Sequence, residues 1–157
     1  MLLNPSIMRA FVTGWTGRRL GEPNMTRAGE QYAREVIDLF DEFGTLSEFN
    51  SGTYTGVSLF GLVLWSRYLP AGSGSGSGSV MAEHGPRMVA RTWEAVAALW
   101  HPGLRNMAGP WDRSYGYDMN RYLSLMALWL WPWVGKEAAG LFPNVSFWST
   151  FRCCLLS

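Results

Sequence analysis

From Thr26 to Phe43 the apolar residues Ala28, Tyr32, Val36, Leu39, Phe40 and Phe43 recur at steps of three and four. That spacing puts them on one face of a helix and predicts an amphipathic segment. Gly44 follows, at the position where a left-handed residue closes a helix. A second helix is predicted from about Tyr54 to Tyr68; it is apolar nearly all round, as an inner helix must be, and Pro70 stops it. The third runs from Val80 to Trp100, with Met88, Trp93, Val96, Ala97 and Trp100 on one face and an expected interruption at Gly85-Pro86. A fourth, strongly apolar helix is predicted from Met119 to about Trp131, with Asp118 as a candidate N-cap and Pro132 bending or ending it. Lys136 to Phe142 is a short helical candidate. No stretch alternates with a period of two, so the predicted class is all-α.

Two polar loops precede the two apolar helices: Ser47 to Tyr54, and His101 to Asp118. The order is amphipathic helix, polar loop, apolar helix, connector, then the same again, which antiparallel helical hairpins explain. Inner helices that alternate with outer ones run parallel to each other. The loops that lead into them then share one end of the layer, and two polar loops at one rim make a candidate site. The low-complexity run "AGSGSGSGS", Ala71 to Ser79, is a flexible tether. Neither flank alone could bury a core, so it is expected to be a surface-loop insertion inside one domain, residues 1–143, followed by an irregular tail, 144–157.

Composition excludes more than it suggests. The chain has 157 residues, a single-domain length, and 13 basic against 12 acidic residues leave a formal charge of +1. The usual electrostatic grounds for a nucleic-acid or membrane-surface partner are therefore missing. The longest apolar run, Leu123 to Val134, is short of the roughly 20 residues a membrane span needs. The 2 cysteines, Cys153 and Cys154, are adjacent, a poor geometry for a mutual bridge, and neither they nor His84 and His101 have metal-ligand spacing. No cofactor is expected, and the compartment stays open. The 9 tryptophans are core fillers or platforms for ring-shaped ligands.

The stretches "SEFNSGTYTGVSLFGLVLW" and "HPGLRNMAGPWDRSYGYDMNRY" together resemble a family of uncharacterised, mostly fungal proteins. In that family a Glu-Phe-Asn-Ser-Pro-Thr-Tyr signature precedes a Gly-Pro-aromatic-Asp-Arg-x-Tyr-Gly-x-Asp-Met signature. The resemblance spans about residues 24–135 and implies an α/α toroid similar to six-hairpin glycosidases and polysaccharide lyases, whose active sites lie where the inner helices begin. Gly52 stands where the family has proline, which loosens the loop. Family members look longer, so the expectation is an incomplete toroid, a truncated copy in which carbohydrate binding outlasts activity.

The candidate site residues follow from the two loops. Glu48 lies ahead of an apolar helix, where the dipole favours negative charge; it is a candidate acid or a capping carboxylate. Paired across a glycosidic bond with Asp112 or Asp118 it would suit hydrolysis. Elimination from a uronate would use Tyr117 or Tyr54 as base, with Asn50 or Arg113 quieting the carboxylate. Trp111 and Tyr115 could stack on a sugar face, or pack in the core. Asn50 could equally close an Asx turn, Asp112 and Arg113 pair with each other, and Asp118 cap its helix. Glu48, Asp112 and Tyr117 are thus the catalytic candidates, with Asn50, Tyr54, Trp111, Arg113, Tyr115 and Asp118 as substrate contacts. Two other readings stand beside carbohydrate chemistry: a non-catalytic helical interaction module that self-associates through open apolar edges, and an enzyme of small terpenoid-like alcohols.

Overall fold

The structure, a computed structural model, describes residues 3–48, 50–52, 54–72, 78–101, 106–111 and 125–138. Five helices form: α1 (Leu3–Leu20), α2 (Pro23–Phe43), α3 (Tyr54–Tyr68), α4 (Val80–Leu99) and α5 (Leu125–Ala138). Between α4 and α5 two residues at each side, β1 (Trp100–His101) and β2 (Asn106–Met107), pair antiparallel, Trp100 opposite Met107. The described chain is predominantly helical, and its class is all-α.

Helix α1 was not anticipated. Asn4-Pro5 and the apolar steps Ile7, Ala10, Phe11 are start and periodicity signals, but Gly14 and Gly17 weaken the pattern. Its presence changes the pairing of elements. α1 packs chiefly on α2 and next on α3, while α3 packs chiefly on α4. The chain therefore makes an α1–α2 hairpin and an α3–α4 hairpin, and not the expected pairing of α2 with α3.

The α1–α2 seam also corrects which residues α2 buries. Gly29, Ala33, Val36, Ile37 and Phe40 are buried, whereas Phe43 is 63% exposed. Of the expected stripe, Val36 and Phe40 are buried and Tyr32 and Leu39 pack against the core; Gly29, Ala33 and Ile37 extend the buried face, and Phe43 falls outside it. A β-carbon at Gly29 would lie 2.4 Å from the Cα of Gly14, and one at Gly17 would lie 2.5 Å from the amide nitrogen of Thr26. Backbones in such contact leave no room for side chains between them.

α2 begins with Pro23, whose fixed φ and missing N–H suit a first helical position. It closes as expected: Gly44 takes φ 66° and its N–H donates to Phe40 O at 2.8 Å. α4 is not interrupted at Gly85-Pro86; the helix continues through Pro86, with Ser79 Oγ accepting from Met81 N–H as its cap. Gly85 serves the α3 contact, since a β-carbon there would meet Ser66 Oγ at 2.6 Å. α5 likewise runs through Pro132 and breaks at Gly135, where φ 82° and ψ 166° leave the helical region; Lys136 to Ala138 follow that kink.

One core cluster joins Ile7, Val36, Phe40, Leu62, Trp65 and Met88, drawn from both sides of the tether. A second gathers Leu59, Val96, Met107 and Met126 under Trp111 and Trp129. The tether leaves and returns at one place. Ser79 N–H donates to Pro70 O at 2.9 Å, and Glu30 holds the returning strand through Ser79 Oγ (2.7 Å) and Val80 N–H (2.9 Å). Deleting residues 73–77 and joining Gly72 to Gly78 is therefore expected to leave the melting temperature within about 2 °C, because closure entropy changes slowly with loop length. Circular dichroism melts of the two chains test this.

Candidate functional site

The polar loop before α3 is shaped by three residues. Ser51 caps the helix: its Oγ accepts from Tyr54 N–H at 3.2 Å and its carbonyl from Thr55 N–H at 3.0 Å. Asn50, one residue earlier, takes φ 52°, in the left-handed region that asparagine tolerates better than most side chains. That conformation sends its amide across the gap to the second loop. Nδ2 donates to Ala108 O at 2.8 Å and to Pro110 O at 2.5 Å. The two loops chosen from the sequence are therefore tied together by a single side chain.

Their meeting follows from helix direction. Met126 N–H, at the start of α5, donates to Gly52 O at 2.9 Å, and Trp129 Nε1–H donates to Gly56 O at 3.1 Å. Both chains advance together between these bonds, so α5 starts beside α3 and runs parallel to it. The start of α5 thus lies at the same end as the loop leading into α3.

Glu48 is buried, 5% exposed, but does not serve α3. Its Oε2 accepts from the backbone N–H of Asn4 at 3.3 Å, in the first turn of α1. The expected position ahead of the apolar helix is corrected: the dipole and free amides this carboxylate meets are those of α1. Asn4 is the site residue that sequence reasoning missed, because α1 itself was missed. It is buried, and its Oδ1 accepts from Ser58 Oγ, a polar residue with no exposed surface on α3. The cluster Asn4, Glu48, Ser58 thereby links α1, the loop and α3.

Three atoms of this rim have no hydrogen-bond partner among the described residues: Glu48 Oε1, Asn4 Nδ2 and Asn50 Oδ1. Buried polar atoms are seldom left so, because each loses its hydration without replacement. The set comprises two acceptors and one donor. A hydroxyl or a water can donate to a carboxylate oxygen and accept from an amide, so the pattern matches such groups. Asn50 also lines a void of about 10 Å³ with Thr45, Thr55, Thr92, Val96 and Met107, room for roughly one water.

Of the remaining candidates, Tyr54 stands half-buried at the first position of α3. Trp111 is half-buried, donates from Nε1 to Met107 O at 2.7 Å and packs on the second core cluster. Asp112, Arg113, Tyr115, Tyr117 and Asp118 lie outside the described residues, as do Cys153 and Cys154. Among the described residues, no group of three His, Cys, Asp or Glu side chains could hold a metal, and no helix is long and apolar enough to cross a membrane.

The sequence profile of one family, described as a domain of unknown function, DUF8769, matches residues 2–152. The chain belongs to this family. For DUF8769 the matched span takes in α1, the tether and most of the segment after α5. No curated protein and no solved structure matches the chain.

Proposed function

We propose that this DUF8769 chain is a carbohydrate-binding helical domain on a partial α/α-toroid plan, which takes ligand hydroxyls at the rim before α3 and α5. The observation that carries the reading is the trio of buried polar atoms on Glu48, Asn4 and Asn50 that have no partner among the described residues, at loops that Asn50 itself joins. The parallel start of α3 and α5 supports the toroid plan, since that is the relation inner helices of such a layer have. This reading takes binding and leaves turnover aside: hydrolysis of a glycosidic bond requires two carboxylates about 5–10 Å apart, Glu48 is held by the amide of Asn4, and its candidate partners Asp112 and Asp118 lie outside the described residues.

The test is a glycan and uronide binding screen on the whole chain, repeated with Glu48→Gln. The variant keeps an acceptor for Asn4 but loses the charge, so binding is expected to weaken about tenfold while the fold persists. A folded wild-type chain that retains no glycan or uronide would remove the proposal.

A second reading, the non-catalytic module that associates with itself, has its own observation. Trp133 is 83% exposed, Trp131 on α5 and Phe60 on α3 are exposed too, and a hollow of about 310 Å³ is lined by Val57, Phe60, Leu128 and Trp129. Sedimentation equilibrium separates the two: concentration-dependent dimers abolished by Trp133→Glu favour the module.

A further inference from the structure

Away from the loop rim, where α3 ends and α1 turns into α2, the surface holds a hollow of about 770 Å³. α3 has 15 residues, so its two ends are roughly 20 Å apart at 1.5 Å per residue. This second place is separate from the site discussed above. It opens widely to solvent.

The lining combines two chemistries. Trp15 and Tyr68 present aromatic faces and are 38% and 58% exposed. Arg18, Arg19 and Arg27 present guanidinium groups, and no carboxylate lines the hollow among the described residues. Arg18 is committed: it pairs with Glu30 at 2.9 Å and donates to Gly78 O at 3.3 Å, which pins it to the base of the tether. Arg19 and Arg27 make no ion pair among the described residues; Arg19 lies 5.7 Å over the Trp15 ring, and Arg27 donates to Asn24 Oδ1 at 2.5 Å. Gly21 leaves the floor open, for a β-carbon there would meet nothing within 4 Å.

Part of this arrangement has a purely local explanation. Arg18 and Arg19 sit in the last turn of α1, where cations complement the helix dipole. That account does not cover Arg27, which belongs to the first turns of α2. The rings of Trp15 and Tyr68 pack on Phe11, Trp15 stacked at 6.4 Å and Tyr68 edge-on at 6.5 Å, and each keeps exposed surface towards the hollow. Guanidinium groups recognise planar oxyanions with two hydrogen bonds, and aromatic faces stack on flat rings.

We infer that the hollow between the α1–α2 turn and the end of α3 binds an oxyanion joined to a ring, aryl or sugar, with Arg19 and Arg27 taking the anion and Trp15 and Tyr68 taking the ring. Binding here does not depend on the loop rim. Glu48→Gln leaves it unchanged, and loss of this site leaves glycan binding at the rim unchanged.

The experiment is isothermal titration of the full chain with phenyl phosphate, with glucuronate and with inorganic phosphate. Phenyl phosphate or glucuronate is expected to bind saturably, and which of them does so tells an aryl ligand from a sugar acid. Inorganic phosphate, lacking a ring, binds at least about tenfold more weakly. The double variant R19Q/R27Q weakens the ring-bearing ligand about tenfold or more, with an unchanged melting temperature in the absence of ligand, since both side chains are exposed. R27Q alone gives a smaller loss in the same direction. Trp15→Leu weakens the ring-bearing anion but not inorganic phosphate. Absence of binding by both ring-bearing anions up to about 10 mM, a level at which a specific small-anion site is substantially filled, overturns the inference; so does affinity that survives R19Q/R27Q.

Discussion

Replacing Gly29 by alanine is expected to cost about 2–4 kcal/mol of stability, a large share of what a domain of this size has. On propensity alone the change should help, since alanine is better than glycine in a helix by about 1 kcal/mol. The sign is reversed by geometry. The added methyl would lie 2.4 Å from both Cα and N of Gly14 and 3.1 Å from Ala10 O, all of them backbone atoms of α1. None can swing aside as a side chain would, so the helices must separate along a seam that also buries Ala10, Ala33 and Val36. Gly14→Ala provides the contrast: its methyl would meet the terminal Cε of Met81 at 2.8 Å, an atom that can rotate away. That variant is expected to lose less than about 1 kcal/mol, helped by the propensity gain. Urea unfolding of the three chains decides the matter, and equal midpoints for both variants would mean that the close approach of α1 and α2 has been misread.

The same seam shows where sequence reading succeeds and where it stops. α2 and α3 were legible because their signals are local: a 3.6-residue period, Gly44 after it and Pro70 after the next. The buried face of α2 was legible at Val36 and Phe40 but not at its small residues. Periodicity weights large apolar residues and drew Phe43 inward, whereas the closest approach to α1 is made at Gly29, whose importance depends on the partner helix that precedes it. α1 escaped for the same reason, because Gly14 and Gly17 depress helix propensity while enabling the packing that stabilises it. Gly85-Pro86 reads as an interruption and Pro132 as a bend or an end, yet both helices continue past the missing hydrogen bond.

The convergence of the loops was legible, because it needs only helix order and direction. The partner of Glu48 was not, because it lies on the missed helix. A carboxylate read as serving the helix that follows it instead serves the first turn of α1, through an amide 44 residues earlier. In physical terms the rim is a junction of three helix starts, α1, α3 and α5. Their free amides attract oxygen acceptors from loops, and Glu48 and Ser51 both answer that demand. What remains, the oxygens and amide without a partner among the described residues, is left over from the junction, and it is this remainder on which ligand recognition is proposed.

Asn50→Ala is expected to destabilise the chain by about 2–4 kcal/mol and to uncouple the two loops, through two separable effects. Alanine at φ 52° meets the left-handed penalty of about 1–2 kcal/mol. It also leaves Ala108 O and Pro110 O without the donor they share, at about 1 kcal/mol each in a partly buried setting. Asn50→Gly escapes the first effect and suffers only the second, since glycine takes positive φ freely, and should recover about a third to a half of the loss. Asn50→Asp keeps the shape and much of the left-handed tolerance but turns a donor towards two carbonyl oxygens into an acceptor, so it should be at least as damaging as alanine. Hydrogen exchange locates the effect: the amides of Ala108 and Met126, which bond to Leu99 O and Gly52 O, should lose protection before those of α1 and α2. If Asn50→Asp were neutral, the amide orientation that joins the loops would be wrong, and with it the shared rim. The order Gly, Ala, Asp in stability is therefore a direct reading of whether one side chain holds the candidate site together.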